Sequence, residues 1–257
     1  VPPLRYADPE LDMGAMRLRL SKLPVERIES PLLAGVLREK QRELERMIEL
    51  VRLRGTPGFV GASIDLFGGV EAKLLELAET ILAEVGPGEP LEADCGVDAV
   101  VAAVEDEVDW YRERAPGFGL EITVDADVGS LMMVSHGRLY LDADLRLPAA
   151  RVQPLVQHEV GTHLITQVNG SRQPVTVLGT GLAGYDETQE GLAVLAEIAV
   201  GGLTPARLRT LAARVVVVHD MLKGATFSEC HARLVEAGVP TGSAFTTVMR
   251  VFRAGGL

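Results

Sequence analysis

From about Asp12 to Thr56 the apolar residues Leu33, Val36, Leu37, Leu44, Met47, Ile48 and Val51 recur at intervals of three and four, the period of an amphipathic helix. Arg38, Glu39, Lys40, Arg42, Glu43 and Arg46 fall between them and suit a solvated face of neighbouring opposite charges. Gly55-Thr56-Pro57-Gly58 ends this segment, and Gly68-Gly69 marks a further turn. The helical period returns over Glu71 to Val85. After a loop from Gly86 to Pro90 it returns again over Asp98 to Arg114, where Val100, Val101, Val104, Val108 and Tyr111 share a side.

The period then changes. Leu120, Ile122 and Val124 alternate with Glu121, Thr123 and Asp125, as on a strand with one face buried. After a turn at Gly129-Ser130, Leu131 to Ser135 and Arg138 to Asp142 read as two strands of a hairpin around His136-Gly137. A helix is expected from Pro148 to Val168, ending before Asn169-Gly170. A Gly- and Thr-rich connection leads to Tyr185, and a second helix runs from Glu187 to Val200, with Asp186 and Gln189 as a capping box and Gly201-Gly202 as its stop. On it Leu192, Leu195 and Ile198 are expected to face the core. Helices at Pro205 to Leu222, Ser228 to Ala237 and Thr241 to Phe252 complete the chain. The class is α+β, mostly helical, with a small sheet preceding the motif helix. A helical N-terminal region, 1–115, and a catalytic region, 116–257, divide near residue 115.

Composition narrows the function. The 257 residues are 47% hydrophobic and carry a net charge of −11. That charge excludes the phosphate backbone of nucleic acid as the expected partner and disfavours an anionic membrane surface. Cys95 and Cys230, far apart, give neither a disulfide framework nor a cysteine-type zinc site, so a cytoplasmic location is expected. The opening residues hold no apolar signal region. The longest apolar stretch, Gly191 to Leu203, is interrupted by Glu197 and is too short for a bilayer, which needs roughly 20 apolar residues.

Chemistry concentrates in His158-Glu159-Val160-Gly161-Thr162-His163 and, further on, in Thr188-Gln189-Glu190-Gly191-Leu192-Ala193. Zn2+ favours imidazole and carboxylate ligands and, in catalytic sites, keeps one position for water. His158, His163 and Glu190 supply three ligands, and Glu159 is placed to take the proton of zinc-bound water as general base. The spacing makes a demand. Each residue of an α-helix advances about 100°, so positions i and i+5 diverge by about 140°. A shared metal therefore requires a π-type distortion between His158 and His163, with Gly161 removing a side chain where the backbone is distorted. Glu197 reads either as an exposed carboxylate or as a group orienting a ligand histidine.

These segments, with Asn169-Gly170-Ser171-Arg172-Gln173-Pro174, Gly181-Leu182-Ala183-Gly184-Tyr185 and Gln189-Glu190-Gly191-Leu192-Ala193, resemble the QEGLA-motif proteins. Their bacterial members are labelled flavohemoglobin expression modulators. Their eukaryotic relatives are microtubule-associated tyrosine carboxypeptidases, which remove the C-terminal tyrosine of α-tubulin. Leu211 to Val216, Gly224 to Phe227 and Met249 to Gly256 extend the likeness. It implies zinc at His158, His163 and Glu190, catalysis by Glu159, a gluzincin-type fold, and a family pattern that continues beyond Leu257. A similar expansion of the zinc motif occurs in dipeptidyl peptidase III enzymes.

A carboxypeptidase must hold a terminal carboxylate, for which the arginine fork is suited. Arg172 is the first candidate, ahead of Arg250 and Arg253. Asn169 and Tyr185 are candidate donors to the substrate or its oxyanion. The Arg138 to Asp142 strand is a candidate to pair with the substrate backbone. His136 and His219 are possible extra donors, and His231 reads as an ordinary helix residue. The expected partner is a peptide or protein C-terminus. Two other readings stand beside this one: a zinc amidohydrolase that is not a peptidase, and a regulatory module with a structural metal.

Overall fold

The computed structural model describes residues 6, 10–89, 91–115, 118–126, 128, 131–135 and 137–253. Backbone contacts group the chain into two compact units, 89–203 and the pair 1–88 with 204–257.

In unit 89–203, helix α5 (Val97–Arg114) buries Val100, Val104 and Val108, spaced four apart, in the same core as the sheet and the motif helix. This packing puts the helix with the motif region and not with the N-terminal segment. Strands β2 (Glu121–Asp125), β3 (Met132–Ser135) and β4 (Arg138–Asp142) form one sheet in the order β2-β4-β3. Leu139 and Leu141, two apart on β4, point into the core and are fully buried. β4 pairs in parallel with β2 and antiparallel with β3. Both of its edges are therefore occupied, which rules it out as the strand that pairs with a substrate; β2 and β3 are the outer strands of the sheet. A two-residue ladder joins β1 (Cys95–Gly96) to β5 (Arg146–Leu147). Gly129, Ser130 and His136 lie outside the described residues.

The motif segment starts with a 3-10 turn, Ala149–Arg151, and continues through α6 (Val152–His158), a π segment (Glu159–Leu164) and α7 (Ile165–Ser171). Val156, Val160 and Leu164 anchor it in the core, fully buried. Helical backbone runs through Asn169-Gly170 instead of stopping there. A short helix, α8 (Val177–Thr180), interrupts the connection to α9 (Tyr185–Ala199).

Two expectations for α9 fail. Its N-cap position is Gly184, at φ 69°, so the helix starts before Asp186 and no Asp186–Gln189 capping box forms. Asp186 and Glu187 instead lie in the first turn, where negative charge suits the helix dipole. Leu192, Leu195 and Ile198 are exposed, at 51%, 58% and 40%, while Ala193 and Glu197 are buried. The face turned toward α6 is the one that carries Ala193 and Glu197, and just past the helix a Cβ on Gly202 would come within 2.6 Å of Pro154.

In the other unit the predicted helix over Asp12 to Thr56 is two helices. Pro24 and the 3-10 turn Val25–Arg27 separate α1 (Met13–Ser21), capped by Asp12, from α2 (Pro31–Arg52), capped by Ser30. Helix α3 (Gly58–Phe67) occupies a stretch that Gly58 and Gly61 disguise as a loop. Helices α4 (Ala72–Glu84), α10 (Pro205–Leu222), α11 (Phe227–Glu236) and α12 (Thr241–Arg253) follow the predicted periods. A capping box does occur here, at Thr226 and Glu229. Among the described residues no helix is long and apolar enough to cross a membrane.

Buried Arg209 on α10 ties this unit together by donating to the carbonyls of Leu82 (2.7 Å), Val85 and Ala237, the last turns of α4 and the end of α11. Its removal strands carbonyls that water cannot reach. Arg209→Met is expected to lower stability by roughly 2–4 kcal/mol, read as a lower urea midpoint at unchanged slope.

Candidate metal centre

The π segment solves the spacing problem posed by the sequence. Its last turn is closed by the Ile165 N–H, which reaches back five residues to the Val160 carbonyl. The buried Thr162 hydroxyl donates to the Gln157 carbonyl at 3.1 Å, giving an acceptor a partner at the α-to-π junction. The wider turn brings the imidazoles of His158 and His163 onto one side, with ring centroids 4.9 Å apart. Gly161 keeps ordinary helical backbone here. Its missing Cβ leaves room for the Gln157 side chain, whose Oε1 would lie 2.5 Å from such an atom.

Helix α9 presents Glu190 to this pair. Its carboxylate oxygens lie 3.8 Å from His158 Nε2 and 3.5 Å from His163 Nε2. Four ligands at about 2.0–2.1 Å around a tetrahedral zinc stand roughly 3.3–3.4 Å from one another, so this spacing fits such an ion. Glu159 also brings a carboxylate oxygen within 4.8 Å of ligand atoms on both histidines. Two carboxylates thus compete for the role of third ligand.

Their surroundings differ. The Glu190 side chain is 65% exposed. Glu159 is largely buried and accepts a hydrogen bond from the backbone N–H of Val134 on β3. Val134 faces Leu139 one step from the Met133–Tyr140 pair, and the Asp142 N–H to Leu131 carbonyl bond sets the alternation. That register turns the Val134 N–H away from β4 and toward Glu159. Burial, then the negative charge of Glu190, push the Glu159 carboxyl up to about 7 despite the Val134 N–H, which favours the charged form.

Glu197 is no exposed carboxylate. It is 2% exposed, and its Oε1 lies 2.8 Å from His158 Nδ1. Arg151 donates to the other oxygen at 3.1 Å and to the Gly202 carbonyl at 3.2 Å. With Nδ1 engaged by a carboxylate, His158 carries its proton there and leaves the Nε2 lone pair facing Glu190. Burial lowers the pKa of His158, while Glu197 opposes that shift. The sequence carried no signal for Arg151 or Val134, because both act through tertiary contacts.

The proposed substrate residues lie next to this cluster in sequence. Asn169 is exposed within α7, and its carbonyl accepts from Gln173. Arg172 is the exposed residue that closes the same helix. Tyr185 opens α9 with its ring against the backbone of Gly181, where a Cβ would collide. His219 sits on α10 beside Asp220, and His231 approaches the Thr241 carbonyl; both belong to the other compact unit.

A buried carboxyl beside two imidazoles and a second carboxylate is the equipment of a hydrolase. A family model described as microtubule-associated tyrosine carboxypeptidase matches residues 1–257. The chain belongs to that family, whose activity is that of a carboxypeptidase-like peptidase, with a peptide or protein as substrate. Neither the curated proteins nor the solved structures contain a match to it.

The raised Glu159 carboxyl has a consequence for the metal-free chain. An acid whose pKa rises on folding contributes most below its unfolded value of 4.5, and that contribution fades as pH climbs to about 7. Urea midpoints at pH 5 and pH 8 are expected to show a decline in the wild type that Glu159→Gln lacks, a difference of roughly 3 kcal/mol.

Proposed function

We propose that this chain is a zinc-dependent carboxypeptidase in which His158, His163 and Glu190 hold the metal and Glu159 is the general base. The observation that carries the reading is the approach of one carboxylate to two imidazole Nε2 atoms across a π turn, at 3.8 and 3.5 Å. Glu190 is preferred over Glu159 as ligand because the Val134 N–H holds Glu159 to one side and both Nε2 atoms face Glu190. Zinc bound there would polarise the scissile carbonyl and draw the pKa of a water toward neutrality.

Glu159 takes a proton from the attacking water and returns it to the leaving amine. In the metal-free chain its carboxyl sits at about 7, and zinc beside it would favour the charged form that accepts the proton. Glu197, steadied by Arg151, holds the ring of His158 in place. Arg172 is assigned the substrate's terminal carboxylate, and Asn169 and Tyr185 are donors to the substrate or its oxyanion. The QEGLA motif around Glu190 supports placement in the QEGLA branch of the family, and the family's name supports tyrosine as the residue removed. The free thiols of Cys95 and Cys230 suit a cytoplasmic setting.

Peptides ending in a free tyrosine carboxylate are expected to lose it, while amidated copies survive. Indifference to amidation would favour an amidase of another kind. Glu159→Gln should keep its zinc by metal analysis and lose roughly 10²–10⁴-fold in turnover. Equal turnover in mutant and wild type would remove Glu159 as base. Glu197→Ala should weaken zinc binding roughly 10–100-fold in a chelator competition, with the helical signal unchanged.

A further inference from the structure

A second concavity lies in the helical unit, within residues 1–88 and 204–257, and serves none of the chemistry above. It encloses about 680 Å³ between α3, α10 and α12. That is the size of a small-molecule site, for which roughly 300–1,000 Å³ is usual.

Its lining is sorted by chemistry. Ile64 and Phe67 from α3 and Met221 and Leu222 from α10 supply an apolar wall. Phe67 is 68% exposed and Ile64 41%, so large apolar side chains stand in water on the rim. Met221 and Leu222 are flexible enough to follow a chain of variable shape. Arg214 of α10 and Arg250 of α12 also line the cavity, and no acidic side chain does among the described residues. Guanidinium forks match planar carboxylates.

We propose that this cavity binds an amphipathic monocarboxylate of the medium-chain fatty-acid type. The hydrocarbon covers Ile64, Phe67, Met221 and Leu222, and the carboxylate meets Arg214 and Arg250. Apolar contact supplies affinity in proportion to the area removed from water, and the two arginines select the anionic head. None of its lining residues has a part in the peptidase proposed above, so its failure would leave that reading untouched.

Titration calorimetry of the purified chain with decanoate, decanol and decyltrimethylammonium tests this. Decanoate is expected to bind saturably at one site, tighter than decanol by at least about tenfold, with the cationic amphiphile not binding. The double variant Arg214→Gln/Arg250→Gln should lose that advantage and bind decanol as the wild type does. Phe67→Ser should weaken both. Circular dichroism confirms that each variant is folded. Absence of saturable decanoate binding by the wild type would overturn the proposal. So would decanol binding as tightly as decanoate, or a folded double variant that keeps the preference.

Discussion

One extra residue between two histidines governs the catalytic unit. A regular helix would fan His158 and His163 apart, and no metal or shared proton could join them. The chain answers with a π segment, and that costs regular backbone hydrogen bonding. The Thr162 hydroxyl satisfies the Gln157 carbonyl, and the fully buried Val156, Val160 and Leu164 hold the distorted turn against the core. Without those anchors a regular α-helix would be the cheaper conformation.

The rest of the site is arranged around that turn. β3 reaches Glu159 through one backbone N–H, which gives the carboxylate a partner besides the histidines. The close approach of α9 to α6, made possible by Gly202 and Ala193, brings Glu197 to His158 Nδ1 and Glu190 to the two Nε2 atoms. A single helix thus touches His158 from both sides of the imidazole. That fixes its tautomer as well as its orientation.

The sequence announced much of this, and its failures have physical causes. The helical periods over Pro205 to Leu222 and Thr241 to Phe252 survive almost residue for residue, because those helices bury one face; the strand over Glu121–Asp125 forms, but Val124 on its expected inner face is 47% exposed. The π segment was legible from spacing alone. Burial on α9 was not. Its inner face is given to Ala193 and to Glu197, which meets His158, so Leu192 and Leu195 face outward. Glu197 stayed open between a solvated and an orienting carboxylate, because nothing local marks a side chain whose partners, His158 and Arg151, lie 39 and 46 residues away. The substrate strand was misassigned because pairing on both sides of β4 is a property of the whole sheet.

The proposed peptidase depends on two imidazoles and Glu190 forming one metal site, with Glu159 outside it. Anomalous diffraction from crystals of the zinc-loaded chain, recorded at the zinc edge, addresses it directly. The account predicts a single strong peak at bonding distance from His158 Nε2, His163 Nε2 and a Glu190 oxygen, with the Glu159 carboxyl still on the Val134 N–H. A peak bonded to Glu159 in place of Glu190, or no peak between the two histidines, would contradict it.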